Sequence, residues 1–387
     1  MSRSCPICNS SNVRDFLTRK NVPVHQNLLC PDRESAIELS RGNLVMTVCE
    51  GCGFMFNREF DPSLLRYGTH YENTQTCSPV FERYAERRVS YLLKRKNITN
   101  CHIIEVGCGN GYFIKKLVED GNGNSGIGFD PSYEGPLETL NGKLRFERNY
   151  YGPDCCDVKP DVVISRHVIE HTDNPLNLIT TIHKSLMGSR KAQVYFETPC
   201  AEWILKNTVI WDFFYEHCSL FTKSSLKTAL QLGGFDVKGI RRVFAGQYLW
   251  MEATPAEFSR PIYDPGSIPQ LATDFAEKEK KLKSTWIERI ETARTRGAVA
   301  VWGAGAKGAT FLNLVDPGRD RIDCVIDINP RKNGNYIPGT GHEIIGIKQI
   351  QAKKIKTIMI MNPIYAQEIK AIVEDLHLNI ELDRKLK

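Results

Sequence analysis

The pattern of apolar and polar positions divides the chain into three stretches of different character. Between about residues 76 and 255, short apolar runs recur, each followed by a segment with helical spacing. "CHIIEVGCGNGYFIKKLVEDG" predicts a buried strand, a glycine turn and an amphipathic helix with Phe113, Leu117 and Val118 inward. "SGIGFDPS" predicts the next strand, with Asp130 at its tip, and "DVVISRHVIEHTDNP" an apolar strand running into a loop. "AQVYFETP" is a further strand, stopped by Pro199. Strands that alternate with helices over this length predict a doubly wound α/β sheet. Residues 256–296 read as a Pro-rich linker, "RPIYDPGSIPQ", and a charged helix in which Leu271, Phe275, Leu282, Trp286 and Ile290 keep a rough helical period. The pattern then restarts in residues 297–387, with "GAVAVWGAGAKGATFLNLV", "DCVIDINP" and "IKTIMIMNP", as a second, smaller Rossmann-like unit. No run approaches the roughly 18 apolar residues of a membrane span.

Residues 1–75 follow neither pattern. Cys5-Pro-Ile-Cys8 and Cys49-Glu-Gly-Cys52 form two C-x-x-C knuckles, which supply four soft thiolates for a tetrahedral structural zinc. Four protein ligands leave no open position, so catalysis by that metal is not expected. Ribbons of this kind often bind nucleic acid. Here residues 1–60 hold seven Lys/Arg (3, 14, 19, 20, 33, 41, 58) against six Asp/Glu (15, 32, 34, 38, 50, 59), which makes no phosphate-binding surface. The 13 cysteines are an odd number and mostly scattered, which argues against a disulfide framework and for a reducing cytoplasm. "MSRSCPICNS" lacks a signal-peptide layout. The formal charge of +6 permits an anionic substrate without announcing nucleic acid or a membrane surface. A monomer or weak dimer is expected.

The first glycine turn is Glu105-Val-Gly107-Cys108-Gly109-Asn-Gly111. Its glycines fall at every second position, unlike the G-x-G-x-x-G of dinucleotide sites. That spacing lets a flat, phosphate-free ligand lie on the backbone, while Glu105 can hold a cationic amino-acid group and Asp130 can accept both ribose hydroxyls. The motif resembles that of the class I S-adenosylmethionine-dependent methyltransferases, as does "HVIEH" from His167 to His171. The resemblance implies that Glu105, Gly107, Cys108, Gly109, Gly111, Asp130 and His167 line the cofactor site.

In such a fold the segment after Pro199 lies over the methyl donor, and "FYEHCSLFT" places Glu216 and His217 there side by side. Neutral imidazole suits proton removal at neutral pH, the adjacent Glu216 carboxylate can fix its tautomer or hold a substrate hydroxyl, and carbon must lose a proton next to a carbonyl before it can be methylated. The pair therefore favours C-methylation; a helix-start Glu with a packed His is the structural alternative.

The whole layout is similar to that of the three-domain C-methyltransferases of deoxysugar biosynthesis. The shared features are the four cysteines, "EVGCGNG", the Glu216-His217 pair followed by Phe221, "GAGAKG", "DINP" and "PGTGH". The resemblance implies S-adenosylmethionine, structural zinc and a nucleotide-linked keto-sugar as acceptor. It also implies a catalytic tyrosine at the end of the first module, with Tyr71 the first counterpart and Tyr67 the second. Tyr71 or Tyr215 is expected to donate a hydrogen bond to the developing oxyanion. The chain departs from the family at Phe214, where a tyrosine is expected. Gly303-x-Gly305-x-x-Gly308, with Asp327 about 20 residues on, fits a dinucleotide fingerprint, yet Lys307 inside the turn favours a substrate diphosphate. NAD or packing alone are the other readings of that turn. For the whole chain, an O- or N-methyltransferase of another small acceptor and a non-catalytic zinc-ribbon binding module are the competing functions.

Overall fold

The computed structural model describes residues 4–65, 70–152, 155, 159–189, 192–258 and 261–384. Tyr67 lies outside the described residues. The first module is an antiparallel sheet of β1 (Val13–Pro23), β2 (Arg41–Cys49) and β3 (Met55–Asn57), completed by a two-residue strand, Ser219–Leu220. Ser219 pairs with Phe56 and Leu220 with Met55. Those two residues follow directly on Glu216-His217-Cys218, so the pairing fixes the candidate catalytic segment to the cysteine-rich module.

The central sheet is built on parallel β4 (His102–Val106), β5 (Ser125–Phe129), β6 (Leu144–Glu147), β7 (Val162–Arg166) and β8 (Gln193–Pro199). The antiparallel strands β9 (Phe235–Val243) and β10 (Tyr248–Pro255) close one edge, in the order β9-β10-β8-β7-β4-β5-β6, and Glu138–Thr139 borders the other. This is the class I methyltransferase fold that the sequence predicts. β4 has four buried residues out of five because both its faces are covered, and the helix α1 (Tyr112–Glu119) turns Phe113, Ile114, Leu117 and Val118 onto one of them.

A 27-residue helix, α2 (Ile268–Arg294), leads to the third unit, with Phe275, Trp286 and Ile290 buried and the Lys-rich face exposed. There β11 (Ala298–Trp302), β12 (Cys324–Ile326) and β13 (Ile355–Ile360) are parallel, flanked by Ile344–Ile345 and Glu381–Asp383. The helix α3 (Ala306–Val315) follows the second glycine turn. The three stretches share cores. One cluster joins Phe16 and Leu44 of the first module to Trp211, Trp286 and Phe311, and a second joins Cys5, Cys49 and Phe54 to Val106, Phe129 and Phe196. No described helix is long and apolar enough to cross a membrane.

Candidate active site

β4, β5 and β7 end at Gly107, Asp130 and His167, the carboxyl edge where open α/β sheets bind ligands. Gly107 (φ +71) is required there, because a Cβ on it would sit 2.1 Å from a Val168 methyl. The cavity at this edge is lined by Gly107, Asp130, Ser132, Tyr150, His167 and Thr172, among others. Asp130 does two jobs. It accepts the N–H of Gly109 at 2.8 Å and that of Ser132 at 2.8 Å, so it closes the glycine turn while its carboxylate faces the cavity. Glu105 is placed differently from the expectation that it grips an amino-acid ammonium. It is 2% exposed, accepts the Ile114 N–H at 3.1 Å, and burial pushes it up to about 8, so it pins the start of α1. Cys108 is likewise buried behind the turn.

His167 sits at φ +56, a left-handed conformation, and bonds through both ring nitrogens: Nδ1 to Glu170 at 3.3 Å and Nε2 to Glu197 at 3.0 Å. Burial opposes its charge, but the two carboxylates outweigh that and push it up to about 9. Burial also works against the Glu197 carboxylate, yet Arg166 at 2.9 Å and His167 hold it down to about 2. His167 is thus an imidazolium at neutral pH. A folded-state pKa raised from 6.5 to about 9 contributes stability that is complete below pH 6.5 and lost as pH rises through about 9. The melting-temperature gap between wild type and His167→Gln should therefore be widest below pH 6.5 and shrink towards pH 9. A pH-independent gap would mean that His167 is held neutral.

A second cavity opens between the central sheet and the third unit, and Tyr71, Asn73, His167 and His171 line both. His217 stands on the wall of the second cavity alone. It packs against Phe214 (ring centroids 4.0 Å apart) and edge-on against His171 (4.9 Å). Burial, then the charges of His171, His167 and Lys307, hold its pKa well below 6.5, so it is neutral and able to accept a proton. Glu170, His171 and His217 place one ligand atom each within 4.8 Å of the others, but both Glu170 oxygens are engaged, by His167 and by Thr198 at 2.9 Å.

Three sequence expectations need correction at this point. Glu216 does not face the cavity; fully buried, it accepts the Gln26 N–H at 2.8 Å and lies 3.4 Å from His25 Nδ1. It anchors residues 25–27 of the first module rather than a substrate hydroxyl or the neighbouring imidazole. Tyr215 points away as well, its hydroxyl accepting the Asp61 N–H at 2.8 Å and its ring lying over Gly42; Phe214 takes the cavity side instead. Tyr71 does face both cavities. Burial, the charge of Glu216 and a hydrogen bond to that carboxylate raise its pKa well above 10 and keep it neutral, and Asn27 Nδ2 reaches its hydroxyl at 3.4 Å. Lys307, third of these, is ion-paired with Asp212 rather than held out to a ligand, although it and Gly303, Gly305 and Gly308 line the second cavity.

The four knuckle cysteines converge, with all sulfurs within 4.8 Å, Cys5–Cys52 at 3.7 Å and Cys8–Cys49 at 3.5 Å. Zinc–sulfur bonds of about 2.3 Å in a tetrahedron put the sulfurs roughly 3.8 Å apart, so the cluster fits that ion.

Residues 78–238 match a family model described as a methyltransferase domain. Residues 268–378 match a second model, described as a C-methyltransferase C-terminal domain. Among curated proteins none matches the chain. Among solved structures it is similar to N,N-8-amino-8-demethyl-D-riboflavin dimethyltransferase from Streptomyces davawensis, at 15% identity and a TM-score of 0.37 over 45% of this chain and 54% of that one. The chain thus spans about half the length of that relative. It is also similar to 1,6-didemethyltoxoflavin-N1-methyltransferase from Burkholderia thailandensis, at 18% identity and a TM-score of 0.37 over 46% of this chain and 82% of that one.

The cavity at the carboxyl edge of the central sheet yields a direct test. Asp130→Ala should weaken S-adenosylhomocysteine by roughly ten- to a hundredfold, since it removes a charged acceptor for ribose hydroxyls and loosens the Gly109 turn. Calorimetry showing unchanged affinity would remove Asp130 from the site. Sequence reasoning missed His25, Gln26 and Asn27, which bring the first module to the candidate active site; only their nearness to Glu216 and Tyr71 in space marks them.

Proposed function

We propose that the protein transfers the methyl group of S-adenosylmethionine to a carbon next to a carbonyl in a nucleotide-linked keto-sugar. The observation that carries this reading is His217: a neutral imidazole on the acceptor cavity's wall, close to where that cavity meets the cofactor cavity. His217 takes the proton from the carbon α to the carbonyl. The electron pair left behind is held as an enolate, whose oxygen accepts a hydrogen bond from the neutral Tyr71 hydroxyl in exchange for that hydroxyl's bond to Glu216. That carbon then forms its bond to the methyl group as the sulfur–methyl bond breaks, which leaves S-adenosylhomocysteine and an imidazolium that returns its proton to water. The match of residues 268–378 to a C-methyltransferase C-terminal domain supports carbon as the acceptor atom. Structural zinc on Cys5, Cys8, Cys49 and Cys52 belongs to the same reading, because it would fix the module that presents Tyr71.

Incubation with methyl-labelled cofactor and a panel of keto-sugar nucleotides tests it. Label on carbon is the expected product. Label on oxygen or nitrogen would overturn the carbon assignment, and no transfer to any member of the panel would overturn the acceptor class.

A further inference from the structure

The loop that carries His217 has almost no regular structure of its own to hold it. Apart from one short helical turn at Ile210–Asp212, residues 208–218 are irregular, and all of them except His217 are buried. Buried backbone groups in such a loop must find partners elsewhere in the fold. Two of its carbonyls find theirs in Arg19 of β1, from the first module. Arg19 Nη1 donates to the Phe213 carbonyl at 2.7 Å, and Nη2 donates to the Ile210 carbonyl at 2.6 Å. Nε and Nη2 also reach the Glu279 carboxylate of α2, at 3.0 and 2.7 Å.

A guanidinium suits this place because it is planar and offers donors along two edges. The carboxylate takes the Nε/Nη2 edge and the two carbonyls take the Nη1/Nη2 edge. A lysine ammonium is a point charge with three donors, which could keep Glu279 but not span the other edge. The result is a backbone grip on either side of His217. Before it, the Phe213 carbonyl is fixed by Arg19, and the Phe213 ring packs against Phe16 and Phe275, with centroids 5.7 and 4.9 Å away. After it, Ser219 pairs with Phe56 of β3. Between these anchors the His217 N–H donates to the Phe214 carbonyl at 3.2 Å.

We propose that Arg19 is a positioning residue for the base: through the Ile210 and Phe213 carbonyls it holds the loop so that His217 stays packed at the wall of the acceptor cavity. Arg19 lines neither cavity, so it acts through the loop alone. The proposal rests on the reading of His217 as the base. Several charged or titratable groups face that imidazole from other elements: His167 at the end of β7, Glu170 and His171 just beyond it, and Lys307 at the start of α3. Tyr71 of the first module lines the same cavity. None of these belongs to the grip, so loosening the loop changes the hydration of His217 and leaves its neighbours in place.

Arg19→Lys in the full chain tests the proposal by two readouts. The first is an NMR titration of ring-labelled histidine, with the His217 signal assigned from His217→Ala. In the wild type, where burial holds the imidazole neutral, that signal should not titrate near pH 6.5. In Arg19→Lys water should reach the ring, and its midpoint should rise towards about 6.5. The second is methyl transfer to the keto-sugar nucleotide that serves as acceptor in the panel. There kcat should fall about ten- to a hundredfold, as for a reacting group displaced by roughly 1 Å, with KM, S-adenosylhomocysteine affinity and zinc content retained. Glu279→Gln keeps the shape but removes the charged anchor of the guanidinium. It should show both changes in smaller measure, about three- to tenfold in kcat, and it serves should Arg19→Lys fail to fold. Variants that only melt at lower temperature, with the His217 titration and kcat of the wild type, would make Arg19 a stabilising residue and overturn its positioning role, leaving the base in place. A shifted His217 titration in Arg19→Lys, together with near-normal turnover in His217→Ala, would overturn the base reading and with it the claim that the grip serves proton removal.

Discussion

His217→Ala should lower turnover by on the order of two to four powers of ten while leaving S-adenosylhomocysteine affinity unchanged. The two effects separate because the imidazole lines only the acceptor cavity, whereas Asp130 and Gly107 line the other. The same substitution should stop exchange of the substrate's α-proton with deuterated water in the absence of methyl donor. A pH profile adds an independent check. Burial and the neighbouring charges of His171, His167 and Lys307 hold the His217 pKa well below 6.5, so its base form persists as pH falls through 6.5. The wild-type kcat/KM should then show no loss with an apparent pKa near 6.5, where an ordinary histidine base would show one. Near-normal turnover in the variant would place the base elsewhere. An unchanged maximal rate with a raised substrate requirement would make His217 a binding residue.

Much of this site is legible in the sequence, and what is not has a common physical cause. The turn from Glu105 to Gly111, Asp130 at the tip of β5 and the two C-x-x-C knuckles are local patterns, fixed by backbone geometry over a few residues. The roles of Glu216, Tyr215 and Lys307 depend instead on partners that the chain brings from far away. Glu216 is turned towards His25 and Gln26, and Lys307 is neutralised by Asp212. Phe214 and Tyr215 lie in a stretch with neither helical nor strand periodicity, so no spacing rule says which of them faces the cavity. The sequence therefore identifies the chemistry at the ends of strands better than the division of labour among neighbours on an irregular loop.

The same long-range coupling decides what should follow from losing the metal. About one zinc per chain is expected by elemental analysis, and Cys5→Ser or Cys52→Ser should release it. Structural zinc in small thiolate modules is worth roughly 10–16 kcal/mol of apparent binding energy at neutral pH, most of which appears as folding energy. Here the damage should spread beyond the module. Cys5, Cys49 and Cys52 are fully buried in a cluster that continues into Val106, Phe129, Val163 and Phe196 of the central sheet. β3 is also hydrogen-bonded to Ser219–Leu220, one residue beyond His217. Loss of zinc should thus lower the melting temperature of the whole chain. It should also reduce turnover, because residues 25–27 hold Glu216 and Asn27 reaches Tyr71. Cys77→Ser is the control: that thiol is exposed and outside the cluster, so zinc content and melting temperature should both be retained. A metal-free protein with full activity would mean that the four cysteines hold the module together without an ion, and that the active site does not depend on one.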